Sequence, residues 1–575
     1  MARYKTDLKD IHFNLFELLK VQDNSTDFEL SDMKDIIEQF DKFVENEVFP
    51  VRTPGDREGV RLVNGQVYVP KCFHQANQRF YENGWYGLGI PEELGGIPVL
   101  DSITTACSSI LIGANVSFSM YFGLSKAAMN VLLKVASDEL KAKYIPKMME
   151  GKWGGTMCLT EPGAGSDVGV LKTVAKKNSD GSYQINGTKI FISSGDNDLY
   201  ENIVHLVLAR IPGAPEGTKG ISLFLVPKMK SDGVGNLTGP NDVVCKKLED
   251  KMGIHAQATC ELMFGENSNC QGFLIGVENR GMEAMFIMMN EARLMCGVQG
   301  ESQANLSYML TEQYAKERVQ FGTEIINHPD IRRLLLRMRA MSRGLRALHL
   351  YTANLFDLEK LGKEWAEAEA ALLTPICKSY GSENGFHVAV DAVQVHGGYG
   401  YCVEYGIEQF VRDIKIATIY EGTNGIQGID FVTRKILKDQ GKALMAIGGK
   451  IENVITSPEA ANWKMEASLI GKSLADAGRI LKLFGELASK KKINDILERS
   501  SDYLLLCGNL ITAWLLMKSA IASLEKADKT TGDEKLYYQS KITDFRVFVQ
   551  HYLVHNESIA KALLDFDFSY SDVEI

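Results

Sequence analysis

At 575 residues the chain is too long for a single hydrophobic core and implies three or four domains. Its 45% apolar and 24% charged residues are ordinary for a globular protein, while a net charge of -10 and a pI near 5.6 argue against nucleic-acid binding as its main business. Ten cysteines are scattered with no CxxC pair and no Cys/His cluster, which fits reduced thiols in a cytoplasm and gives no metal site.

The first twenty residues, MARYKTDLKDIHFNLFELLK, interleave charged and apolar positions and contain no signal-type apolar core. Residues 1–34 are expected to form an N-terminal helical extension. Helical spacing follows in MKDIIEQFDKFVENEVF and SKAAMNVLLKVASDELKAKYIPKMMEG, with Pro91 and Gly95-Gly96 in a loop between them, so 35–152 reads as a helical domain. From Trp153 the texture changes to short β-type runs. SYQI and KIFIS flank Asn186-Gly187, a hairpin signal, and VHLVLARI and ISLFLVP follow, predicting a compact β-domain over 153–275.

Helical spacing returns after Gly281 and again from Ile331 to Leu373. The segments Ser382 to Val393 and Glu404 to Ile416 read as further helices of the same bundle, over 276–445. Gly448-Gly449 marks a linker, and the proline-free stretch beyond Pro458 predicts an additional helical domain over 450–575. Within it YLLLCGNLITAWLLM, Tyr503 to Met517, is shorter than the roughly 20 residues a bilayer needs and contains Asn509, so a buried helix is expected rather than a membrane span.

Two stretches carry chemistry. In IYEGTNGIQ, Ile419 to Gln427, an apolar run opens into a glycine-rich turn at Glu421. Burial there raises a carboxyl's pKa and makes it a usable base near neutrality, whereas the alternative is a Glu that merely caps the next helix. In TEPGAGSDVG, Thr160 to Gly169, the spacing is Gly-x-Gly-x-x-x-Gly with no βαβ unit around it, unlike a dinucleotide fingerprint. Gly163, Ala164 and Gly165 permit close backbone approach to a ligand, and Thr160 and Ser166 add hydroxyls; the same residues also make a tight turn.

TEPGAGSD, FISSG (Phe191 to Gly195), KERVQFG (Lys316 to Gly322), QVHGGYGY (Gln394 to Tyr401) and IYEGT occur in the order and approximate spacing of the acyl-CoA dehydrogenases, which the chain resembles over about 35–440. The resemblance implies an α+β multidomain fold: a helical domain, a β-barrel and a helical bundle, here with an additional C-terminal helical domain. It implies FAD as cofactor, with Thr160 at the flavin ring and Ser166 at the FAD pyrophosphate or the pantetheine of an acyl-CoA. Phe191 stands where most members have Trp beside the ring, and Ser193 replaces the usual Thr at flavin N5. Arg318 and Gln320 match positions reaching the neighbour's FAD diphosphate in a homodimer, Gln394 and Gly398 lie near the adenosine, and Thr423 on the adenine side. Gly425 departs from a frequent Gln.

By the same resemblance Glu421 is the base that removes the α-proton of a thioester while hydride leaves the β-carbon for flavin N5. Its backbone N–H is an expected donor to the thioester carbonyl. A minority of members carries the base on the helix of MMNEAR; that position is Ala292 here, with Glu291 about 100° away. Arg293 matches an arginine facing coenzyme A, and Asn290 replaces a common Asp beside it. KMGIHAQATC, MMNEARL, HPDIRRLLL and the extra domain resemble the longer bacterial members, a subgroup that includes 3-methylthiopropionyl-CoA and broad-range fatty acyl-CoA dehydrogenases. Electrons are expected to pass to an electron-transferring flavoprotein. Rival readings are an acyl-CoA oxidase, which uses oxygen, and a DNA-associated flavoprotein. The near balance of charge in 450–575, ending in DFDFSYSDVEI, leaves no phosphate-binding stripe for the latter.

Overall fold

The computed structural model describes residues 4–565 and 569–574. The chain divides into two compact units, one of Met1–Asp41, Leu100–Gly113 and Arg293–Ile575, the other of Lys42–Val99 and Ala114–Ala292.

The second unit contains the β-domain. Its sheet runs in the order 243–248, 259–264, 183–193, 271–275, 221–227, 202–210, 153–158, and the short strand Val174–Lys177 pairs with both Tyr183–Ser193 and Asn202–Arg210, closing five strands into a ring. Strands Asn202–Arg210 and Ile221–Pro227 are buried almost throughout, which is why they read as unbroken apolar runs rather than alternating ones. Helices Lys71–Glu82, Val116–Val135 and Asp138–Met149 accompany the sheet. The latter two are capped by Asn115 and Ser137, whose side chains accept from Phe118 N–H and Leu140 N–H at 3.1 and 3.4 Å.

Two Asn-Gly pairs behave oppositely. Asn64-Gly65, passed over inside a region read as helical, makes the hairpin between Arg61–Val63 and Gln66–Tyr68, with φ of 51° and 79° at the turn. Asn186-Gly187, expected as a hairpin turn, lies inside the continuous strand Tyr183–Ser193. There the strand changes partners, from Val174–Lys177 on one side of the pair to Thr259–Phe264 on the other. A Cβ on Gly187 would sit 2.4 Å from Thr173 Oγ1, so glycine answers a close approach at the bend rather than a reversal.

In the first unit, helices Gly281–Glu317 (from Arg293 on), Pro329–Lys360 and Glu364–His396 form the bundle. The helical run expected over 331–373 breaks at Gly362, which takes φ 79°, and the helix expected from Ser382 is the second half of 364–396. Backbones of 281–317 and 364–396 touch: a Cβ on Gly297 would lie 2.3 Å from Cys377 O, one on Gly300 2.2 Å from Gly381 O, and one on Gly385 2.3 Å from Gly300 O.

Gly448-Gly449 is not a linker. Helix Lys442–Ile455 runs through it with Ala443, Ile447 and Ile451 buried at a spacing of four. Two mid-helix glycines cost about 1 kcal/mol each, less than the roughly 1.5–3 kcal/mol that each buried isoleucine contributes. Helix Ile493–Lys529 is long and apolar enough to cross a membrane, yet 83% of its most apolar window is buried inside the protein.

The N-terminal segment is not an appendage. Phe13 packs with Ala527, Tyr537 and Tyr538. Asp10, fully buried, pairs with Lys541 and, at 3.1 Å, with Arg346, whose Nε donates to Glu301 at 3.1 Å. Burial pushes the Asp10 pKa up, but Lys541, Arg343 and Arg346 outweigh it and hold the carboxyl well below the usual range.

Candidate active site

After the short 3-10 turn Ile416–Thr418 the chain reverses through Glu421 and Gly422, with φ of 55° and 81°, before helix Asn424–Asp430 begins. A side chain in the left-handed region costs free energy, and such residues persist where the surroundings enforce them. Gln427 does so here: its Nε2 donates to the Glu421 carbonyl at 3.0 Å and to that of Gly422 at 3.5 Å. Tyr420, next door, donates its hydroxyl to Gln299.

The helix cap is Thr423, whose Oγ1 accepts from Ile426 N–H at 3.2 Å, so Glu421 does not cap it. Neither the Glu421 carboxylate nor its N–H has a hydrogen-bond partner among the described residues. The carboxyl is partly exposed; its surroundings nonetheless strip enough water to push its pKa above the ordinary value, with Arg293 and Lys378 pulling the other way. The result is a carboxyl poised for base work, with an N–H beside it for developing negative charge.

Arg293, expected to face the coenzyme, is buried and pairs with Asp430 at 3.3 Å, while its Nε has no partner among the described residues. Asn290 lies in the same helix; its side chain falls outside the described residues. Glu291, the alternative base, accepts from Asn130 Nδ2 at 3.1 Å.

Lys378 was not anticipated. It is fully buried in helix 364–396, its Nζ donates to Asn424 Oδ1 at 2.9 Å, and burial pushes its pKa down to about 8. Cys296 is buried in the same cluster; desolvation, then the Glu421 charge, push its thiol up to about 12, which leaves it inert.

In the β-domain the Thr160–Gly169 loop is a tight turn, with Glu161 and Ala164 exchanging backbone hydrogen bonds at 3.1 and 3.0 Å. It is anchored by a pair that sequence reading missed. Glu161, buried, accepts from Lys172 N–H, Thr173 N–H and Thr173 Oγ1 at 2.6, 3.0 and 2.6 Å, and pairs with fully buried Lys189 at 2.8 Å. Burial alone would raise the Glu161 pKa; Lys189 and these donors lower it on balance.

The loop's outer side is open. A Cβ on Gly163 or Gly165 would meet no atom within 4 Å, and Ser166 is exposed. Phe191 is 60% exposed at φ 57°, and partly exposed Ser193 pairs with Thr259. An open backbone cradle beside an exposed aromatic ring held in a costly conformation fits a flat, phosphate-bearing cofactor.

Arg318 lies 5.3 Å over the Tyr399 ring, next to Gly398, which has open space around it. Tyr314, one turn earlier, stacks on His396 at 4.1 Å, so Arg318, exposed Gln394 and Gly398 share one region. Gln320 is exposed in the hairpin Val319–Gln320/Thr323–Glu324. Thr423 is exposed too, its hydroxyl engaged as the cap.

Family models match most of the chain from residue 31 onward: acyl-CoA dehydrogenase N-terminal domain at 31–152, middle domain at 156–266, C-terminal domain at 279–437, and acetyl-CoA dehydrogenase C-terminal like at 447–574. The chain is 38% identical to 3-methylmercaptopropionyl-CoA dehydrogenase of Ruegeria pomeroyi, over 96% of each chain. It is 36% identical to the broad-specificity linear acyl-CoA dehydrogenase FadE5 of Mycobacterium tuberculosis, again over 96% of each. The crystal structure of an acyl-CoA dehydrogenase complexed with FAD from Bacillus anthracis superposes with a TM-score of 0.76 at 26% identity, covering 94% of this chain and 90% of that one.

Proposed function

The chain belongs to the acyl-CoA dehydrogenase family, FAD-dependent oxidoreductases acting on CH–CH bonds, and from that premise we propose that it converts an acyl-CoA thioester to a trans-2-enoyl-CoA with Glu421 as the base. The observation that carries this reading is the setting of Glu421: a carboxylate with no hydrogen-bond partner among the described residues, its pKa raised by desolvation, held in the left-handed region beside its own unpaired N–H.

FAD, when bound, supplies the acceptor for the hydride that leaves the β-carbon. Glu421 takes the α-proton, and its N–H donates to the thioester oxygen as charge gathers there. Thr160, Ser166, Phe191 and Ser193 would hold the flavin and its diphosphate. Arg318, Gln320, Gln394, Gly398 and Thr423 would hold the nucleotide end, Arg318 and Gln320 serving a second copy of the chain in a homodimer. Ser166, Asn290 and Arg293 would contact the acyl-CoA, and the Arg293 charge also favours an ionised Glu421. The names of the two relatives support a fatty acyl-CoA or 3-methylthiopropionyl-CoA as substrate, and we propose an electron-transferring flavoprotein as acceptor.

The test is anaerobic titration of the yellow holoprotein with a panel of acyl-CoAs. Wild type should bleach with its preferred chain, and Glu421→Gln should bind the same thioester but bleach about three to four orders of magnitude more slowly. Bleaching of the variant near the wild-type rate would remove Glu421 from the reaction and make Glu291 the next candidate.

A further inference from the structure

Lys378 is a costly residue that the proposed mechanism does not use. It sits in an otherwise uncharged stretch, LLTPICKSYG, and is wholly buried. Among the described residues no carboxylate lies within ion-pair distance of its ammonium; its one hydrogen bond goes to Asn424 Oδ1 at 2.9 Å. An ammonium removed from water with only an amide to accept it is unfavourable unless another negative charge compensates.

The geometry supplies that charge. Asn424 is the first residue of the helix that follows Glu421, and its side chain is also fixed by Ser382, which donates to Oδ1 at 3.2 Å, and by Glu383, which accepts from Nδ2 at 3.1 Å. The glycine contacts at Gly297 and Cys377, and at Gly300 and Gly381, lock helix 281–317 against helix 364–396, so that Arg293 and Cys296 on one and Lys378 on the other converge on the same carboxyl. Arg293 already has a carboxylate in Asp430. Lys378 has no ion-pair partner among the described residues, and Glu421 is foremost of the two carboxylates, with Glu383, that favour its charge.

We propose that Lys378 is a positioning residue that keeps Glu421 ionised between turnovers, and thereby sets the pH at which the base begins to work. This rests on Glu421 being the base. The groups facing the pair are Arg293 and Cys296 from helix 281–317, Glu383 from the lysine's own helix, and Tyr420 beside Glu421. Desolvation pushes the Glu421 carboxyl up and the Lys378 ammonium down, so each charge is favoured by the other, and removing the cation leaves the carboxyl easier to protonate.

The test is the pH dependence of kcat/KM for the holoenzyme and for Lys378→Met, Lys378→Gln and Glu421→Gln. Both neutral variants at 378 should move the acidic limb to higher pH, lowering kcat/KM at pH 6 about tenfold while the alkaline plateau stays within about threefold. Gln keeps a hydrogen-bonding partner for Asn424, so it carries the test if Met fails to fold. A second readout is independent of turnover. Lys378 has its folded pKa pushed down to about 8, so the cost of burying its charge is full below that value. It fades as pH rises toward the unfolded lysine's pKa, and wild type should gain stability over Lys378→Met between pH 8 and 10. An acidic limb that coincides with wild type in both variants overturns the inference, as does a loss of activity equal at every pH, which marks a purely structural lysine. If Glu421→Gln stays active, the functional reading fails first and the lysine has no base to serve.

Discussion

Glu421 should be held at a cost to stability, and the cost is measurable by comparing Glu421→Gly with Glu421→Gln. Both variants remove the partly desolvated charge, so that contribution cancels. They differ in the backbone: Gln keeps a Cβ at φ 55°, and Gly does not. A side chain in the left-handed region costs about 1–2 kcal/mol, and glycine's greater loss of chain entropy on folding returns about 0.5–1 kcal/mol of that. Glycine at 421 should therefore be the more stable variant by about 0.5–1 kcal/mol, although both lack the base. With unfolding entropy of about 2 cal/mol/K per residue, 1 kcal/mol in a chain of this length shifts the melting temperature by only roughly 1 °C. Denaturant midpoints at constant FAD, rather than melts, are the assay to use. A Gly variant less stable than Gln would refute the reasoning. It would mean that the Gln427 contacts to the 421 and 422 carbonyls favour this conformation without opposing strain.

Two further outcomes bear on the wider assignment. Turnover in air with no added acceptor should be slow and release little peroxide, while an artificial acceptor or an electron-transferring flavoprotein should raise it greatly; peroxide formed in step with substrate would move the enzyme to the oxidases and leave Glu421 in place. The protein should sediment as a homodimer whose flavin retention falls on dilution, because Arg318 and Gln320 are proposed to serve a neighbour's cofactor. A monomer holding one FAD per chain would remove that role.

The fold was legible wherever a signal was local and uncontested. Strands 202–210 and 221–227 announced themselves as apolar runs, and the 493–529 helix through its apolar core at 503–517. Misreadings cluster at glycine, because glycine answers two different demands. At Gly65 it meets a left-handed turn, which a dipeptide rule anticipates. At Gly187 and Gly448 it meets a neighbour from a distant part of the chain, Thr173 in one case and Leu474 at 3.4 Å from a built Cβ in the other. Such a neighbour leaves no mark within several residues of the glycine, so an extended strand and a continuous helix were mistaken for a turn and a linker.

The site divides along the same line. Glu421 stood out because its whole setting is local: an apolar run, a left-handed pair at Glu421-Gly422, and a Thr that relieves it of capping. Lys378 and the Glu161–Lys189 pair are more deeply buried, but their partners lie 46 and 28 residues away. A single lysine in an apolar helix carries no period and no motif; it reads as an irregularity until the helix packing shows which carboxylate it faces. The physical signal is nonetheless present in the sequence. A charged residue inside a helix otherwise apolar enough to be buried must have a compensating charge somewhere, because burying it alone is unfavourable by several kcal/mol. When the rest of the chain already contains a partly desolvated carboxylate with no ion-pair partner among the described residues, the two deficits compensate each other. In this chain those residues are Lys378 and Glu421, and the pH profile of the lysine variants tests that pairing directly.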